Sequence, residues 1–405
     1  MEKSRKLTNI FIDHKSESYL PLSWHLDPTS NEVPSEVIEL IQTERNTPVV
    51  VNEDLTLRAK VIDMCGLACE FCHNEGTPVK IDNTHGAEPI VGPGRSGRVS
   101  IFVRSNGVDF LPGRMEPDNS FTSTIYSLKN RLGFEEIHFT GGEPTLHSKL
   151  DLLSQVASGL GYKVKFTSNG ENGRSIIRQC AEFGLTSISF SIFGTNPEEL
   201  ASTQGIKYKT NLELAERKIA ALKESISIAL DYGINVSANI VMQDSTHAER
   251  VLRLLDNYDQ RISVRLLNSL DFGASSYYAI YDFLYKLGAR PNKVLLSAGS
   301  STSRVEYEMP NGRKIYFKQI RPARLHEICN DCSLNNPVDC KEGYYGLRLY
   351  VDSDDKYKVG FCIQRMDYCM DIDDFLRSEL PERIVESRQN EFKEMTEFFG
   401  IGIIN

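Results

Sequence analysis

From about residue 56 to about residue 267, short runs rich in β-branched and aromatic residues alternate with longer amphipathic runs. This alternation is typical of βα units, in which helices connect parallel strands. The six predicted strands are LTLRAKVID, EEIHFT, YKVKFTSN, SISFSIFG, INVSANIVM and ISVRLLN. Because a closed barrel of this type has eight such units, the pattern predicts an α/β fold with an open, partial (βα)6 TIM-like barrel.

The rest of the chain divides into segments around this barrel. Residues 1–54 form a polar N-terminal extension with one predicted helix, PSEVIELIQTE, that could cover a barrel opening. The barrel itself takes residues 55–274, with an insertion at 77–118 that is rich in Gly, Pro and Arg and reads as a lid or as a disordered loop. Residues 275–375 carry a second cysteine group and form a predicted auxiliary-cluster domain, and 376–405 form a helical tail.

Charge and cysteine content limit the functional classes. A net charge of −9 argues against a nucleic-acid partner, because binding phosphates requires a clustered excess of Lys and Arg. Without a signal-peptide pattern or a long apolar run, the sequence predicts a cytoplasmic protein with no membrane association. Nine cysteines in a reducing compartment indicate metal or redox chemistry rather than disulfides.

The first cysteine group, Cys65, Cys69 and Cys72, has the spacing C-x3-C-x2-C directly after the first predicted strand. Loops at the C-terminal ends of barrel strands carry the chemistry of such folds. Three thiolates can ligate three irons of a [4Fe–4S] cluster and leave one iron open for S-adenosylmethionine (SAM) to chelate. A zinc site with His73 as its fourth ligand, or three unconnected buried cysteines, are the alternatives.

A second motif, Gly141-Gly142-Glu143-Pro144, ends the second predicted strand. Paired glycines let the backbone approach a ligand closely, and here they could bind the amino group of SAM at the same rim. With the cysteine motif one strand earlier, this motif identifies the chain as a member of the radical SAM superfamily. Membership implies reductive cleavage of SAM to a 5′-deoxyadenosyl radical that abstracts hydrogen from a substrate.

Within this superfamily the chain resembles the GTP 3′,8-cyclases of molybdenum-cofactor biosynthesis over about residues 55–370. The resemblance is carried by LRAKVIDMCGLACEFC, TSNG, SISFSIFG and VSANIVM. It implies that Phe71 contacts SAM near the adenine and Gly142 contacts its amino group. The other expected SAM-binding residues are Gly141, Glu143, Ser168 (or its neighbour Thr167), Ser191 and Asn239.

At the substrate positions the chain departs from the cyclases. Arg58 stands where the family has a phosphate-contacting Arg, but His138 and Ser237 stand where the family has further cations, and the family's Arg-Leu-Arg element reads Gly-Leu-Arg, ending at Arg348. A nucleoside triphosphate needs several cations around it, so we expect GTP to be a poor ligand. Arg58, His138 and Arg348 are the candidate substrate contacts, and ordinary barrel lining is an equal interpretation of His138.

The second cysteine group is Cys329, Cys332, Cys340 and Cys362. The stretch GLRLYVDSDDKYKVGFC resembles the hairpin between two ligands of the cyclases' auxiliary [4Fe–4S] cluster, which has three cysteines. Cys340 would be an additional fourth ligand, making the cluster an electron conduit or a structural element rather than a substrate anchor. Cys369 as the fourth ligand, or a four-cysteine zinc site, are the alternatives.

These features predict a radical SAM enzyme that acts on a small polar substrate, of sugar or nucleoside type, in natural-product biosynthesis. The segment CHNEG at 72–76 resembles that of antibiotic-pathway members such as cytosylglucuronate decarboxylase. A peptide-modifying maturase with an auxiliary cluster, a GTP 3′,8-cyclase homologue and, last, a non-catalytic metal-binding protein are the alternatives. The expected partners are the small-molecule substrate and an external one-electron donor of flavodoxin or ferredoxin type.

Overall fold

The computed structural model describes residues 18–25, 33–73, 111, 113–270, 272–336 and 339–401. Most of the predicted insertion at 77–118, part of the N-terminal extension and the end of the CHNEG segment therefore lie outside the described residues. No helix in the described part of the chain combines the length and the apolar character needed to cross a bilayer.

The described strands form a single curved sheet in the order β1-β8-β9-β10-β7-β6-β5-β4-β3-β2-β11-β12-β13. The strands are β1 Val49–Glu53, β2 Thr56–Ile62, β3 Glu136–Gly141, β4 Lys163–Ser168, β5 Leu185–Ser191, β6 Asn235–Met242, β7 Ser263–Asn268, β8 Arg290–Ala298, β9 Thr302–Glu308, β10 Lys314–Ile320, β11 Arg348–Val351, β12 Tyr357–Gly360 and β13 Met370–Asp371.

The helices lie mainly between the strands. They are α1 Ser35–Arg45, α2 Asn119–Leu132, α3 Leu150–Gly159, α4 Gly173–Glu182, α5 Pro197–Ser202, α6 Ile206–Lys209, α7 Leu212–Asp231, α8 Ala248–Asn257, α9 Ala274–Lys286, α10 His326–Cys329, α11 Ile372–Arg377 and α12 Leu380–Phe398, with short 3-10 turns at Leu22–His25, Pro144–Leu146, Ser245–His247 and Met366–Tyr368.

Strands β2 to β7 are parallel neighbours in chain order, which confirms the predicted partial (βα)6 barrel. Helix α2 illustrates how the sequence forms one unit. Asp118 caps its N-terminus by accepting a hydrogen bond from the amide of Phe121 at 2.8 Å, and Gly133 ends it with a φ of 70°. Phe121, Ile125 and Leu128 recur at helical spacing and are fully buried on the face toward the sheet.

Seven strands outside the six predicted units extend the sheet at both edges. On one side β10 pairs in parallel with β7, β8 to β10 are antiparallel, and β1 of the N-terminal extension pairs in parallel with β8. On the other side β11 pairs in parallel with β2, and β12 and β13 follow. The segments that surround the barrel in the sequence thus continue its sheet, and the predicted domain boundaries stay a prediction.

Candidate active site

A cavity of about 440 Å³ is lined by residues of the barrel strands and of the loops that follow their C-terminal ends. At one end it is lined by all three cysteines of the first group, by the Gly-Gly-Glu motif and by Phe71, Ser191 and Asn239. Its other end is lined by inward-facing side chains of the strands, including Arg58 and His138. The structure therefore brings most of the predicted cofactor and substrate residues into one cavity.

The loop that carries the three cysteines is held by side chains from later units of the barrel. Gln204 accepts a hydrogen bond from the amide of Ala68 at 2.7 Å and donates one to Sγ of Cys69 at 3.1 Å. Glu171 accepts from the amide of Gly66 at 2.7 Å. Gln204 and Glu171 could not be predicted from the sequence, because neither belongs to a motif and both are distant from the loop along the chain.

The two glycines of the second motif are needed because the backbone packs against the start of the cysteine loop. A Cβ atom at Gly141, whose φ is +139°, would lie 2.1 Å from the carbonyl oxygen of Ile62. A Cβ at Gly142 would lie 2.2 Å from the carbonyl oxygen of Met64. The amide of Gly142 donates to Ile62 O at 2.8 Å, so the motif and the cysteine loop are fixed relative to each other.

Glu143 and Ser168 bind each other. Glu143 Oε1 accepts from the Ser168 hydroxyl at 2.6 Å and from the Thr145 amide at 2.9 Å, while Oε2 accepts from the Asn169 amide. Burial raises the pKa of Glu143 to about 6 despite these bonds. Both side chains are nearly inaccessible. Their contacts therefore support the ends of β3 and β4 beneath the cavity.

Three of the expected SAM contacts have side chains that face the cavity. The ring of Phe71 packs edge-on against Phe193, with centroids 4.9 Å apart. Ser191 and Asn239 are paired in register on β5 and β6. Oδ1 of Asn239 is buried without a hydrogen-bond partner among the described residues. A buried polar atom without a partner is costly, so Asn239 fits a contact with a polar ligand.

The donor set suits the group that the motif implies. The thiols of Cys65, Cys69 and Cys72 line one cavity, and amide donors from Asn169 and Gln204 reach two of their sulfurs. Among the described residues, no three His, Cys, Asp or Glu side chains are already gathered at metal-binding positions. The fit to a cluster therefore rests on the shared cavity and on thiolate chemistry.

His138 is neutral at ordinary pH. Burial, and then the charge of Arg58, lower its pKa to about 3, and its Nε2 lies 2.8 Å from the Thr167 hydroxyl. It lines the cavity as a hydrogen-bonding group rather than as a cation.

The cavity contains more cations than the sequence comparison with the cyclases indicated. Among the described residues, five lysine and arginine side chains line it, against three carboxylates. The cations are Arg58, Lys165, Arg265, Arg304 and Lys318, and the carboxylates are Glu136, Glu143 and Glu342. All of these cations except Arg58 lie outside the positions that match the family's substrate contacts, and so they were not predicted from the sequence. The expectation that GTP lacks cationic partners therefore loses its basis.

Two of the departures from the cyclases have local explanations. Ser237 donates to Ser189 at 3.0 Å, and the guanidinium of Arg265 on the neighbouring strand donates to the same Ser189 hydroxyl at 3.0 Å. A cation from β7 thus reaches the surroundings of Ser237. At Gly346, whose φ is +81°, a Cβ would lie 2.6 Å from Nη1 of Arg58, so the glycine makes room for the Arg58 guanidinium.

Arg348 is placed differently from the other two substrate candidates. It is 2% exposed, lies opposite Arg58 on the neighbouring strand, and its Nη2 is 3.6 Å from the carboxylate of Glu342. Its guanidinium carbon lies 5.5 Å from the ring centroid of Tyr345, and Arg348 is not among the described residues that line the cavity.

The second cysteine group surrounds a separate, small cavity of about 20 Å³. Cys329, Cys332, Cys340 and Cys362 line it, and Cys369 does not. The amide of Gln364 donates to Sγ of Cys362 at 3.4 Å. Four cysteines that line one cavity are the type of ligand that an iron–sulfur cluster or a zinc ion takes.

The fold and the site together define a class of protein, and comparison with known families agrees. Residues 60–257 match the model of the Radical SAM superfamily. The chain carries a radical SAM domain and is an enzyme of that superfamily, which implies SAM and a [4Fe–4S] cluster.

Curated proteins to which the chain is similar include GTP 3′,8-cyclases. A probable GTP 3′,8-cyclase of Pyrobaculum aerophilum is 24% identical over 247 residues, which cover 58% of this chain and 67% of that protein. One of Saccharolobus solfataricus is 22% identical over 336 residues, covering 82% of this chain and 89% of that protein. Among solved structures, Streptococcus suis SuiB aligns at a TM-score of 0.38 and 16% identity over 64% of this chain. The alignment spans 52% of the SuiB chain, about half its length.

Proposed function

We propose that this enzyme cleaves SAM at a [4Fe–4S] cluster held by Cys65, Cys69 and Cys72 and abstracts hydrogen from a small polar substrate. The observation that carries this proposal is the continuous cavity, which is lined by these cysteines at one end and by polar strand residues at the other. When bound, the cluster supplies the electron that breaks a C–S bond of SAM and so generates the 5′-deoxyadenosyl radical.

The residues of the chain have separate tasks in this proposal. Gly141 and Gly142 hold the backbone against the cysteine loop and present it to SAM, while Phe71, Ser191 and Asn239 line the place where SAM binds. Glu143 and Ser168 keep this rim in position. Barrel strands surround the reacting groups, and exclusion of water protects a radical from side reactions.

The substrate that suits the polar end of the cavity is small and carries negative charge. A volume of about 440 Å³ falls in the range of roughly 300–1,000 Å³ usual for small-molecule sites. Because SAM must bind in the same cavity, its size suits a sugar or nucleoside better than a larger substrate such as a folded peptide. The excess of cations over carboxylates favours a phosphorylated or carboxylated form. Such substrates are consistent with natural-product biosynthesis.

The second cysteine group is proposed to hold an auxiliary [4Fe–4S] cluster through Cys329, Cys332, Cys340 and Cys362. These four thiols line one small cavity, and the Arg365 guanidinium lies 3.6 Å from Sγ of Cys332. A cluster with four protein ligands passes electrons rather than binding substrate. An external flavodoxin or ferredoxin would supply the electron for SAM cleavage.

The test is anaerobic reconstitution with iron and sulfide, followed by incubation with SAM and dithionite. We expect 5′-deoxyadenosine from the wild type and none from the Cys65→Ala/Cys69→Ala/Cys72→Ala variant, which should lose one cluster's iron. Cys180→Ala is the matched control, because Cys180 is a buried thiol of α4 outside both groups. SAM cleavage by the triple variant would refute the assignment.

The substrate class is tested with GTP, CMP, UDP-glucose, glucose 6-phosphate and a short unstructured peptide. Consumption of one of the four small molecules, with 5′-deoxyadenosine formed in step, supports the proposal. Consumption of the peptide alone would make the chain a peptide maturase instead.

A further inference from the structure

Tyr345 lies at the polar end of the cavity, in the segment that precedes β11. Its hydroxyl accepts a hydrogen bond from Nζ of Lys318, which belongs to β10. The guanidinium carbon of Arg58, on β2, is 4.2 Å from its ring centroid, and that of Arg348 is 5.5 Å away. Cations from three different strands thus face one phenol.

The order of the strands explains this convergence. The strands β10 and β2 flank opposite ends of the β3 to β7 array, so Lys318 and Arg58 approach each other only across the opening of the partial barrel. Tyr345 fills this gap between them. A purely structural role, in which the ring closes the barrel, would need only the ring and not the hydroxyl.

The charges around the phenol favour its ionised form. Burial raises the pKa of Tyr345, but the charges of Lys318 and then Arg58, with the Lys318 hydrogen bond, outweigh it and lower the pKa to about 8. Glu342 acts in the opposite direction, while Arg348 and Arg265 add positive charge nearby. Tyr316, which lines the same cavity, has a raised pKa because of burial and its bond to Glu306.

We propose that Tyr345 is a catalytic proton acceptor for the substrate in this cavity. The phenolate, which accepts a hydrogen bond from Lys318 and has the Arg58 guanidinium over its ring, takes the proton of a substrate hydroxyl. The substrate O–H bond breaks, a phenol O–H bond forms, and the substrate oxygen keeps the electron pair, so the step itself changes no oxidation state.

A proton acceptor at this position has a clear chemical use. A hydroxyl on a carbon that has lost a hydrogen atom is a stronger acid than an ordinary alcohol. Its deprotonation promotes the further reaction of the substrate radical. At pH 7 a phenol with a pKa of about 8 is about one-tenth ionised, and catalytic groups work best when their pKa is near the working pH. This inference rests on the proposed function, because it needs a substrate in the cavity.

The first test does not need a substrate. The tyrosinate absorbance of the wild-type protein is titrated against pH and compared with that of Tyr345→Phe. We expect the difference to show one phenol with a midpoint near 8, about a hundredfold more acidic than the ordinary value near 10. Lys318→Met should move this midpoint upward, and the control Tyr316→Phe should leave it in place. A Tyr345 midpoint near 10 would overturn the proposal.

The second test measures turnover of the small molecule that the wild-type enzyme consumes among GTP, CMP, UDP-glucose and glucose 6-phosphate. Tyr345→Phe should lower kcat by about 10²- to 10⁴-fold with little change in KM, and the wild-type rate should rise with pH around 8. Unchanged kcat in Tyr345→Phe would overturn the proposal. Failure of the wild type to form 5′-deoxyadenosine would instead refute the proposed function and leave the titration result intact.

Discussion

The side chain of Gln204 binds the cysteine loop at two points, accepting from the amide of Ala68 at 2.7 Å and donating to Sγ of Cys69 at 3.1 Å. Cys69 and Gln204 also pair through an isolated antiparallel β-bridge of their backbones. A single amide thus fixes the loop and contacts one of its sulfurs.

Replacing Gln204 by Leu should lower the reduction potential of the cluster. Reduction adds negative charge to the sulfurs, and hydrogen-bond donors to sulfur stabilise that charge. We expect slower reduction and slower 5′-deoxyadenosine formation, measured by redox titration and single-turnover assay. The control is Gln179→Leu on the exposed face of α4. An unchanged potential in Gln204→Leu would show that the bond to Cys69 has no electronic effect.

Cys340 and Cys369 should differ in their effect on the auxiliary site. Cys340 lines the small cavity with the other three cysteines of its group, and Cys369 lies outside that lining. Cys340→Ala should lose iron or change the spectrum of the auxiliary cluster, whereas Cys369→Ala should match the wild type. Iron analysis and electron paramagnetic resonance of both variants decide the point. The reverse pattern would make Cys369 the fourth ligand.

The ion pair of Arg58 with Asp54 should give a pH-dependent stability. Nη2 of Arg58 lies 3.2 Å from Oδ2 of Asp54, and both side chains are less than a tenth exposed. Burial raises the pKa of Asp54, but Arg58 and hydrogen bonds together lower it below its usual value. A lowered carboxyl pKa contributes stability that is present above the unfolded value and is lost as the pH falls through the folded one.

Arg58→Met should therefore lower the free energy of unfolding by about 3–5 kcal/mol near neutral pH, because it leaves a buried carboxylate unpaired. The loss should shrink as the pH falls and Asp54 becomes protonated. The double variant Asp54→Asn/Arg58→Met should show a smaller loss with little pH dependence. Denaturant unfolding at several pH values is the measurement, and a loss that grows on acidification would contradict the argument.

Arg265 should contribute to the binding of anionic ligands. It lines the cavity, and its pKa is lowered to about 10 by burial, then by the charge of Arg304, so it remains a cation at neutral pH. Arg265→Met should weaken GTP binding and reduce its salt dependence in calorimetry, whereas the exposed control Arg261→Met should not. Equal binding by Arg265→Met and the wild type would exclude this contact.

The parts of the fold that could be predicted are those with a local pattern. The six parallel strands and the C-x3-C-x2-C and Gly-Gly-Glu-Pro motifs each lie within a short stretch of sequence. The edge strands were missed because their pairing is distant, as when Val49 pairs with Val294. Lys318 and Tyr345 belong to no recognisable sequence motif. Their contact forms only because the sheet curves and brings β10 close to β2 across the opening of the partial barrel.

The segment that carries Tyr345 has a consequence for the order in which the enzyme becomes complete. Every residue proposed for SAM cleavage precedes residue 270, whereas Tyr345 and the start of β11 follow Cys340 closely in the chain. If the proposed auxiliary cluster binds at Cys340, it would also anchor the segment that carries Tyr345. The order in which the two proposed clusters are inserted would then decide when Tyr345 reaches its place beside Lys318 and Arg58.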